Sequence, residues 1–343
     1  MIGHRVESFR VEHLTRTEAV LGDLDGVDGG ELEWNANADL PGGGTLEMKE
    51  RGQDLNYSSD RLRVWWSVNG EEWPLGVYVL AAPARDYTDT GTGRTIQLID
   101  KLTVVRDDAL LATLQLPAGT NIVDAVVQQI LATGETRIAA TESEAELTNP
   151  LTWDPGTSRL RVINDLLAAA GYWALWTDRF GQFRVEPYIP PASRPVAWEF
   201  HEGAASLHTA DWQYELSLWE ATNTVVMTSQ ADEDGNFWTA YAIDDNPDSP
   251  TSTVSMGRVL NPIVEENVEA ASEADLQARA QRKLIDNSNV VGKLHVTHAA
   301  VPIWYNDAVS FRSQGFDARA TVTKMRLTLE PGSLVEAEWR QAS

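Results

Sequence analysis

A strand followed by a tight turn constrains this sequence more than any other local pattern. Within residues 61–68, apolar side chains recur at every second position, which places them on one face of a β-strand. These side chains are Leu62, Val64, Trp66 and Val68. Asn69 and Gly70 follow directly, and this dipeptide favours a type I′ hairpin turn. The apolar run 74–80 would then return alongside the first strand, so the sequence predicts a β-hairpin.

The remaining patterns divide the chain into three parts. Residues 1–103 have the alternation of strands, residues 104–198 contain two amphipathic helices and a hairpin, and residues 199–343 return to strands with one helix. A length of 343 residues is suited to two or three domains. We therefore predict an α+β fold that is mostly β, with one domain in each part.

Turn and capping residues set the expected limits of the helices. Thr120 or Asn121 would cap the first helix, and Ser158 precedes the second. Gly171 suits the position just after the end of the second helix. Two glycine-rich stretches, 41–44 and 91–93, are expected to be a turn and a loop.

The last part of the chain should interrupt its strands with one helix. Strands are expected at 221–228 and 236–243, followed by a polar loop at 244–252. Ser272 and Asp275 approximate a capping box for a helix over residues 272–288. Four further strands should close the chain, at residues 293–298, 308–311, 320–329 and 334–339.

Charge excludes several classes of function. The formal net charge is −24, and the basic residues form no patch that could grip DNA or an anionic membrane. The chain contains no cysteine, so thiolate catalysis and cysteine-bound zinc are excluded. The first residues lack an apolar signal-peptide core, and no stretch has the length of a membrane span. We expect synthesis in the cytoplasm and no membrane anchor.

The candidate metal and catalytic motifs have simpler interpretations. Residues 232–236 resemble a calcium loop, but the required Gly and Glu are out of place, so a hairpin turn is favoured. His295 and His298 would point to opposite faces of a strand and could not share a metal ion. No nucleophile elbow or zinc-protease motif occurs. We predict no catalytic, cofactor-binding or metal-binding residue, and hence no enzyme.

Thirteen tryptophans are many for this length, and large aromatic side chains serve cores and interfaces alike. Trp65 and Trp66 are adjacent, so one should face the core and the other the solvent or a partner. Trp173 and Trp176 should likewise lie on opposite faces.

Three segments, taken in order, resemble the hub proteins of phage tail tips and contractile baseplates. The first is the Pro-Leu-Gly strand at 73–80 with the strand 96–102, which contains Asp100-Lys101. The second is the helix and hairpin over residues 162–188. The third runs from the helix around Ala280 to residues 302–307. The specificity lies in their order and spacing along nearly the whole chain.

The resemblance implies two tail-tube-like β-barrel domains, residues 1–103 and 199–343, flanking a smaller α+β domain, residues 104–198. The second barrel domain would carry an inserted loop region and one helix. Three chains would form a pseudo-sixfold ring in the virion tail tip, joining the hexameric tube to the trimeric tip. The implied partners are the homotrimer, a tail tube or distal tail protein, the tape measure protein and a central tip or fibre protein. DNA would meet the ring only in transit during ejection.

Two alternatives remain open at the level of the sequence. The chain could be a carbohydrate-active tail protein, a cell-wall hydrolase or sugar-binding module, in which case exposed tryptophans should stand beside a pair of carboxylates in a cleft.

Separately, Arg279 and Arg282 can share a helix face. That face is either solvated or bridges to acidic groups of a neighbouring chain or domain.

Overall fold

The computed structural model describes residues 5–88, 91–217, 221–231, 236–268, 270, 272–288 and 291–342. Strands dominate, in agreement with the predicted mostly β fold. The first part of the chain contains seven of them. They are β1 (Glu7–Leu14), β2 (Val20–Asp23), β3 (Val27–Asn35), β4 (Gly42–Lys49), β5 (Arg61–Val68), β6 (Glu71–Thr88) and β7 (Gly91–Asp100). Their order in the sheet is β2-β1-β5-β6-β7-β4-β3.

The predicted hairpin is confirmed as β5 and β6. Asn69 and Gly70 both have positive φ, 52° and 89°, as a type I′ turn requires. Trp66 is fully buried and Trp65 is only partly buried, so the adjacent tryptophans do lie on opposite faces.

Both glycine-rich predictions were wrong, because the glycines belong to strands. Residues 42–44 begin β4, and residues 91–93 begin β7. At Gly44 a β-carbon would collide with the carbonyl oxygen of Glu31, and at Gly30 it would collide with that of Thr45. Glycine is needed here because β3 and β4 approach each other too closely for side chains, a requirement that looks like a turn signal in the sequence.

The middle part is α+β and surrounds its own apolar core. Its elements are α1 (Thr103–Arg106), β8 (Leu114–Leu116), α2 (Ile122–Ala132), β9 (Ile138–Ala140), β10 (Leu151–Trp153), α3 (Arg159–Ala169), β11 (Trp176–Thr177) and β12 (Phe183–Val185). The side chains of Asn121 and Ser158 cap α2 and α3, which confirms the predicted cap at Asn121. Gly171 follows α3 with a φ of 70°. The predicted hairpin is confirmed in the shorter pair β11 and β12, and helix α1 was not predicted.

The described residues of the last part form nine strands and two α-helices. They are β13 (Val196–His201), β14 (His208–Ser217), β15 (Thr224–Ser229), β16 (Thr239–Ile243), α4 (Thr253–Met256), β17 (Ile263–Val268), α5 (Glu273–Ser288), β18 (Val291–Ala299), β19 (Ala308–Ser313), β20 (Phe316–Thr328) and β21 (Leu334–Gln341). Strands β15, β16 and β17 form a separate small sheet packed on α5. The insertion between β14 and β18 is therefore more than a loop region with one helix.

The other six strands of the last part repeat the order of the first. They run β13-β19-β20-β21-β18-β14, which matches β1-β5-β6-β7-β4-β3 strand for strand. One pairing differs in direction, since β1 and β5 are antiparallel whereas β13 and β19 are parallel. The expectation that the two regions are related is thus supported by their shared strand order. None of the sheets formed by the described residues closes into a barrel.

One strand pair joins the two halves into a single sheet. Strand β3 pairs with the end of β20 over residues 324–328, and we call this pairing the seam. The core beneath it is shared, because the rings of Trp34 and Trp304 lie 5.7 Å apart across the two halves. Two sheets that share hydrogen bonds and apolar contacts should move as one body.

Candidate functional site

The histidines considered as metal ligands lie on opposite faces of β18, as predicted. His298 is buried against Phe200 and Trp339, and burial lowers its pKa to about 4. His295 is half-exposed, with its Nε2 3.6 Å from an oxygen of Glu215. Across the described part of the chain, no cluster of three potential metal ligands occurs. Residues 232–235 of the calcium-like segment lie outside the described residues, between β15 and β16.

A groove of about 640 Å³ runs along the seam. Its acidic side chains face basic ones: Lys324 Nζ lies 3.0 Å from Glu338, and Arg326 lies 2.7 Å from Glu31 at its border. Trp34 lines the groove but is only 3% exposed. The groove thus lacks the exposed tryptophan expected beside the carboxylates of a carbohydrate-active cleft.

The Pro-Leu-Gly motif has a clear structural purpose. Gly76 has a φ of 121°, and a β-carbon there would lie 2.8 Å from the hydroxyl oxygen of Tyr78. The buried Tyr78 hydroxyl donates to the carbonyl oxygen of Leu75 at 2.7 Å. Because only glycine leaves room for this ring, the motif folds the strand tightly around a buried tyrosine.

Asp100 is a buried carboxylate at the end of β7. Burial raises its pKa to about 6, although backbone N–H groups of Leu102 and Gly42, each 2.8 Å away, favour the charged form. Thr177 of β11 donates a third hydrogen bond at 3.3 Å. Asp100 therefore ties the first sheet to the middle part of the chain.

A second tie is a buried ionic cluster, which we define as Glu18, Arg61, Lys101 and Glu135. Arg61 Nη1 lies 2.9 Å from Glu18 and 3.1 Å from Glu135. Lys101 contacts Glu18, and its Nζ lies 3.2 Å from Glu135. Within these four residues two cations face two carboxylates, and Arg137 and Arg63 also approach Glu18, at 3.2 Å and 3.9 Å.

Burial and pairing act in opposite directions within this cluster. Burial lowers the pKa of Lys101, and the carboxylates of Glu18 and Glu135 offset that effect only in part. Burial would raise the pKa of Glu135, but the hydrogen bond from Arg61 and the charge of Lys101 outweigh it, so the pKa is lowered. The cluster was not predicted from the sequence. The one sequence feature that could have indicated it is Lys101, a charged residue between Asp100 and the apolar Leu102.

The cations of α5 pair within their own part of the chain. Arg279 forms an ion pair with Asp275 at 3.1 Å, one turn earlier in the helix. Lys283 reaches Glu265 of β17 at 3.0 Å. Arg282 is exposed and donates to the carbonyl oxygen of Ala278 at 3.4 Å, within its own helix. Among the described residues, Arg282 thus has a contact only in its own helix, and a bridge from it to a neighbouring chain stays a prediction.

The fold is that of phage tail proteins. The tail protein of Neisseria meningitidis MC58 superposes with a TM-score of 0.69 at 12% identity, covering 97% of this chain and 96% of that one. The 43 kDa tail protein of prophage MuSo2 from Shewanella oneidensis gives 0.64 at 14% identity, covering 97% and 98%. A type VI secretion component of E. coli, described as structurally similar to the T4 tail proteins gp27 and gp5, gives 0.54 at 9% identity, covering 93% and 74%.

Comparison at the level of sequence gives no family. No family model and no curated protein sequence matches the chain. Among the helices that the structure describes, none is both long and apolar enough to cross a membrane. The chain therefore has a tail-protein fold. It consists of two halves with the same strand order and a third unit, residues 104–198, which buried charges hold against the first half.

Proposed function

We propose that this chain is a structural hub protein of a bacteriophage tail tip. Three copies would form a ring with pseudo-sixfold symmetry that joins the hexameric tail tube to the trimeric tip. The observation that carries the proposal is the strand order shared by the two halves, together with the seam that joins them. Because one chain presents two similar sheets edge to edge, three chains present six, the number needed to face a hexameric tube.

The domain division follows the same plan. Residues 1–103 and 199–343 would be the two tube-like barrel domains, with each open sheet forming a barrel wall. Residues 104–198 would be the smaller α+β domain, held against the first by Asp100 and the buried ionic cluster. Such buried polar contacts fix orientation more than they add stability, which suits a part that must hold its place in an assembly.

The partners of this ring are the neighbours of a tail tip. A tail tube or distal tail protein would sit on one face and a central tip or fibre protein on the other, in the virion after synthesis in the host cytoplasm. The tape measure protein and then DNA would pass through the centre. A net charge of −24 gives DNA little to bind, and the basic side chains Lys324 and Arg326 at the seam are paired with acidic ones. The role is structural rather than enzymatic.

Native mass spectrometry of the purified protein tests the proposal. The expected species is a trimer, with three times the 37.9 kDa mass of the chain. Its share should rise with protein concentration, as mass action requires. A chain that remains monomeric at every concentration, alone and with a tail-tube partner, would contradict the ring.

A further inference from the structure

Among the strand edges without a neighbouring strand in the described part of the molecule are one edge of β6 and one edge of β14. Strand β6 pairs with β5 only as far as Val79, and from Leu80 to Thr88 the same edge has no strand beside it. Strand β14 pairs with β18 on one side and ends the sheet on the other. Long unpaired edges are usually covered or blocked, because they readily pair with another chain.

The seam is an example of a strand that pairs with such an open edge. Strand β20 corresponds to β6, and β3 corresponds to β14, in the strand order that the two halves share. At the seam β3 occupies the edge of β20 beyond the end of β19, over residues 324–328. That edge of β20 is the counterpart of the edge that β6 leaves open beyond Val79.

We infer that β14 of one copy pairs with the open edge of β6 in a second copy, repeating the seam between chains. The inference rests on the proposed ring and identifies the contact that would build it. Within a chain the first half offers β3 to the second. Between chains the second half would offer β14 to the first, so that every half contacts the next in the same way.

Strand pairing fixes the expected register. The positions Val79 and Thr321 correspond, since each is the last residue of its long strand to pair with β5 or β19. Counting across the sheets from these two anchors gives matching paths of paired residues. The paths are Val79–Ile99–Gly43–Glu33 in the first half and Thr321–Arg340–Lys293–Glu215 in the second. Glu215 therefore occupies the position of Glu33.

The same counting of paired residues identifies the residue of β6 that would pair with Glu215. At the seam Glu33 pairs with Arg326, which pairs on its other side with Glu336. Glu336 lies four residues before Arg340, and the residue four before Ile99 is Thr95, which pairs with Ala84. Ala84 thus corresponds to Arg326, and the pairing expected between copies is Ala84 with Glu215. Arg85 should then lie opposite Tyr214.

Exposure of apolar side chains agrees with this assignment. Leu216 pairs with Gly292 as Trp34 pairs with Gly42, so the two residues are equivalent. Trp34 is 3% exposed at the seam, whereas Leu216 is 57% exposed. Tyr87, on the open part of β6, is 75% exposed. A second copy that paired along this edge would bury part of the side chains of Leu216 and Tyr87.

The absence of cysteine allows a clean crosslinking test. In antiparallel strands, directly opposed Cα atoms are roughly 4.5 to 5.5 Å apart, within the range of a disulfide. The double variant Ala84→Cys, Glu215→Cys should convert most of the trimer into covalently linked chains on mild oxidation, reversed by a reductant. The matched control, Arg326→Cys with Glu33→Cys, should close a disulfide within one chain and give no covalent multimer. Ala84→Cys with Asp211→Cys, four residues out of register, should give none either.

Mixing the two single variants, Ala84→Cys and Glu215→Cys, should give covalent dimers, because each then supplies one half of the bridge. A protein that is trimeric by mass but gives no crosslink at Ala84 with Glu215 or at Arg85 with Tyr214 would overturn the strand pairing alone. A protein that is monomeric and uncrosslinked would contradict both the pairing and the ring. Crosslinks of equal yield in the out-of-register variant would contradict the register.

Discussion

The Nζ of Lys101 lies 2.7 Å from the carbonyl oxygen of Gly181, and this hydrogen bond joins two cores of the molecule. Lys101 follows β7 of the first sheet, and Gly181 lies in the turn before β12. The lysine is fully buried, and its ammonium also lies 4.7 Å from the ring centre of Phe183. A charge buried this deeply is tolerated only because its ion pairs and hydrogen bonds compensate for the lost hydration. The stability of the protein should therefore be sensitive to substitution of Lys101.

Replacing Lys101 with methionine should destabilise the protein by about 3 to 5 kcal/mol, because the cluster would keep two buried carboxylates with fewer cations. Urea unfolding measures the loss. The matched control is Lys49→Met, since Lys49 pairs with Asp28 at an exposed site and should cost less than about 1 kcal/mol. Equal losses in the two variants would show that the cluster does not depend on Lys101.

Replacing Gly76 with alanine should cost about 1 to 3 kcal/mol, because φ there is 121° and the new methyl group would displace the Tyr78 ring. The control is Gly52→Ala, where φ is also positive but nothing lies within 4 Å. Thermal unfolding of both variants separates the steric cost from the backbone cost. If Gly52→Ala lost as much as Gly76→Ala, the contact with Tyr78 would not be the cause.

His298 should make the protein less stable in acid. Its pKa is about 4 when folded, below the ordinary value of about 6.5, so the unfolded chain binds a proton first as the pH falls. Stability from this residue is complete above pH 6.5 and is lost between pH 6.5 and 4, by up to about 3 kcal/mol. His298→Asn should remove this loss in unfolding measured across that range. His295→Asn, on the opposite face of β18, should retain it, and identical profiles for the two variants would refute the assignment.

The contribution of Asp100 to folding stability should have the opposite pH dependence. Its folded pKa of about 6 lies above the ordinary 3.8, so its contribution is complete below pH 3.8 and is lost as the pH rises through 6. The loss is up to about 3 kcal/mol. Asp100→Asn should therefore gain stability relative to the native protein as the pH rises from 4 to 7. The exposed Asp25→Asn serves as the control, and a relative stability that stays constant with pH would contradict the prediction.

Local features of the fold were predictable because neighbouring residues determine them. The hairpin at Asn69 and Gly70 and the helix cap at Asn121 follow from backbone geometry and a side-chain hydrogen bond. The burial of Trp66 follows from strand alternation alone.

Features that depend on distant parts of the chain were not predictable. Glycines 42–44 resemble a turn until the close approach of β3 is known. The ionic cluster joins Glu18 to Lys101 and Glu135, residues far apart in the sequence whose polar character indicates exposure. The seam joins residue 31 to residue 328, and no local pattern encodes that pairing.

Electron cryomicroscopy of the assembled ring tests the central claim most directly. We expect averaged images with threefold symmetry and six similar lobes around a central channel. The contact within a chain should alternate with an equivalent contact between chains. At higher resolution β3 should lie on β20 within each chain and β14 on β6 between chains. Averages with three lobes, or with contacts between chains that do not resemble the seam, would contradict the account.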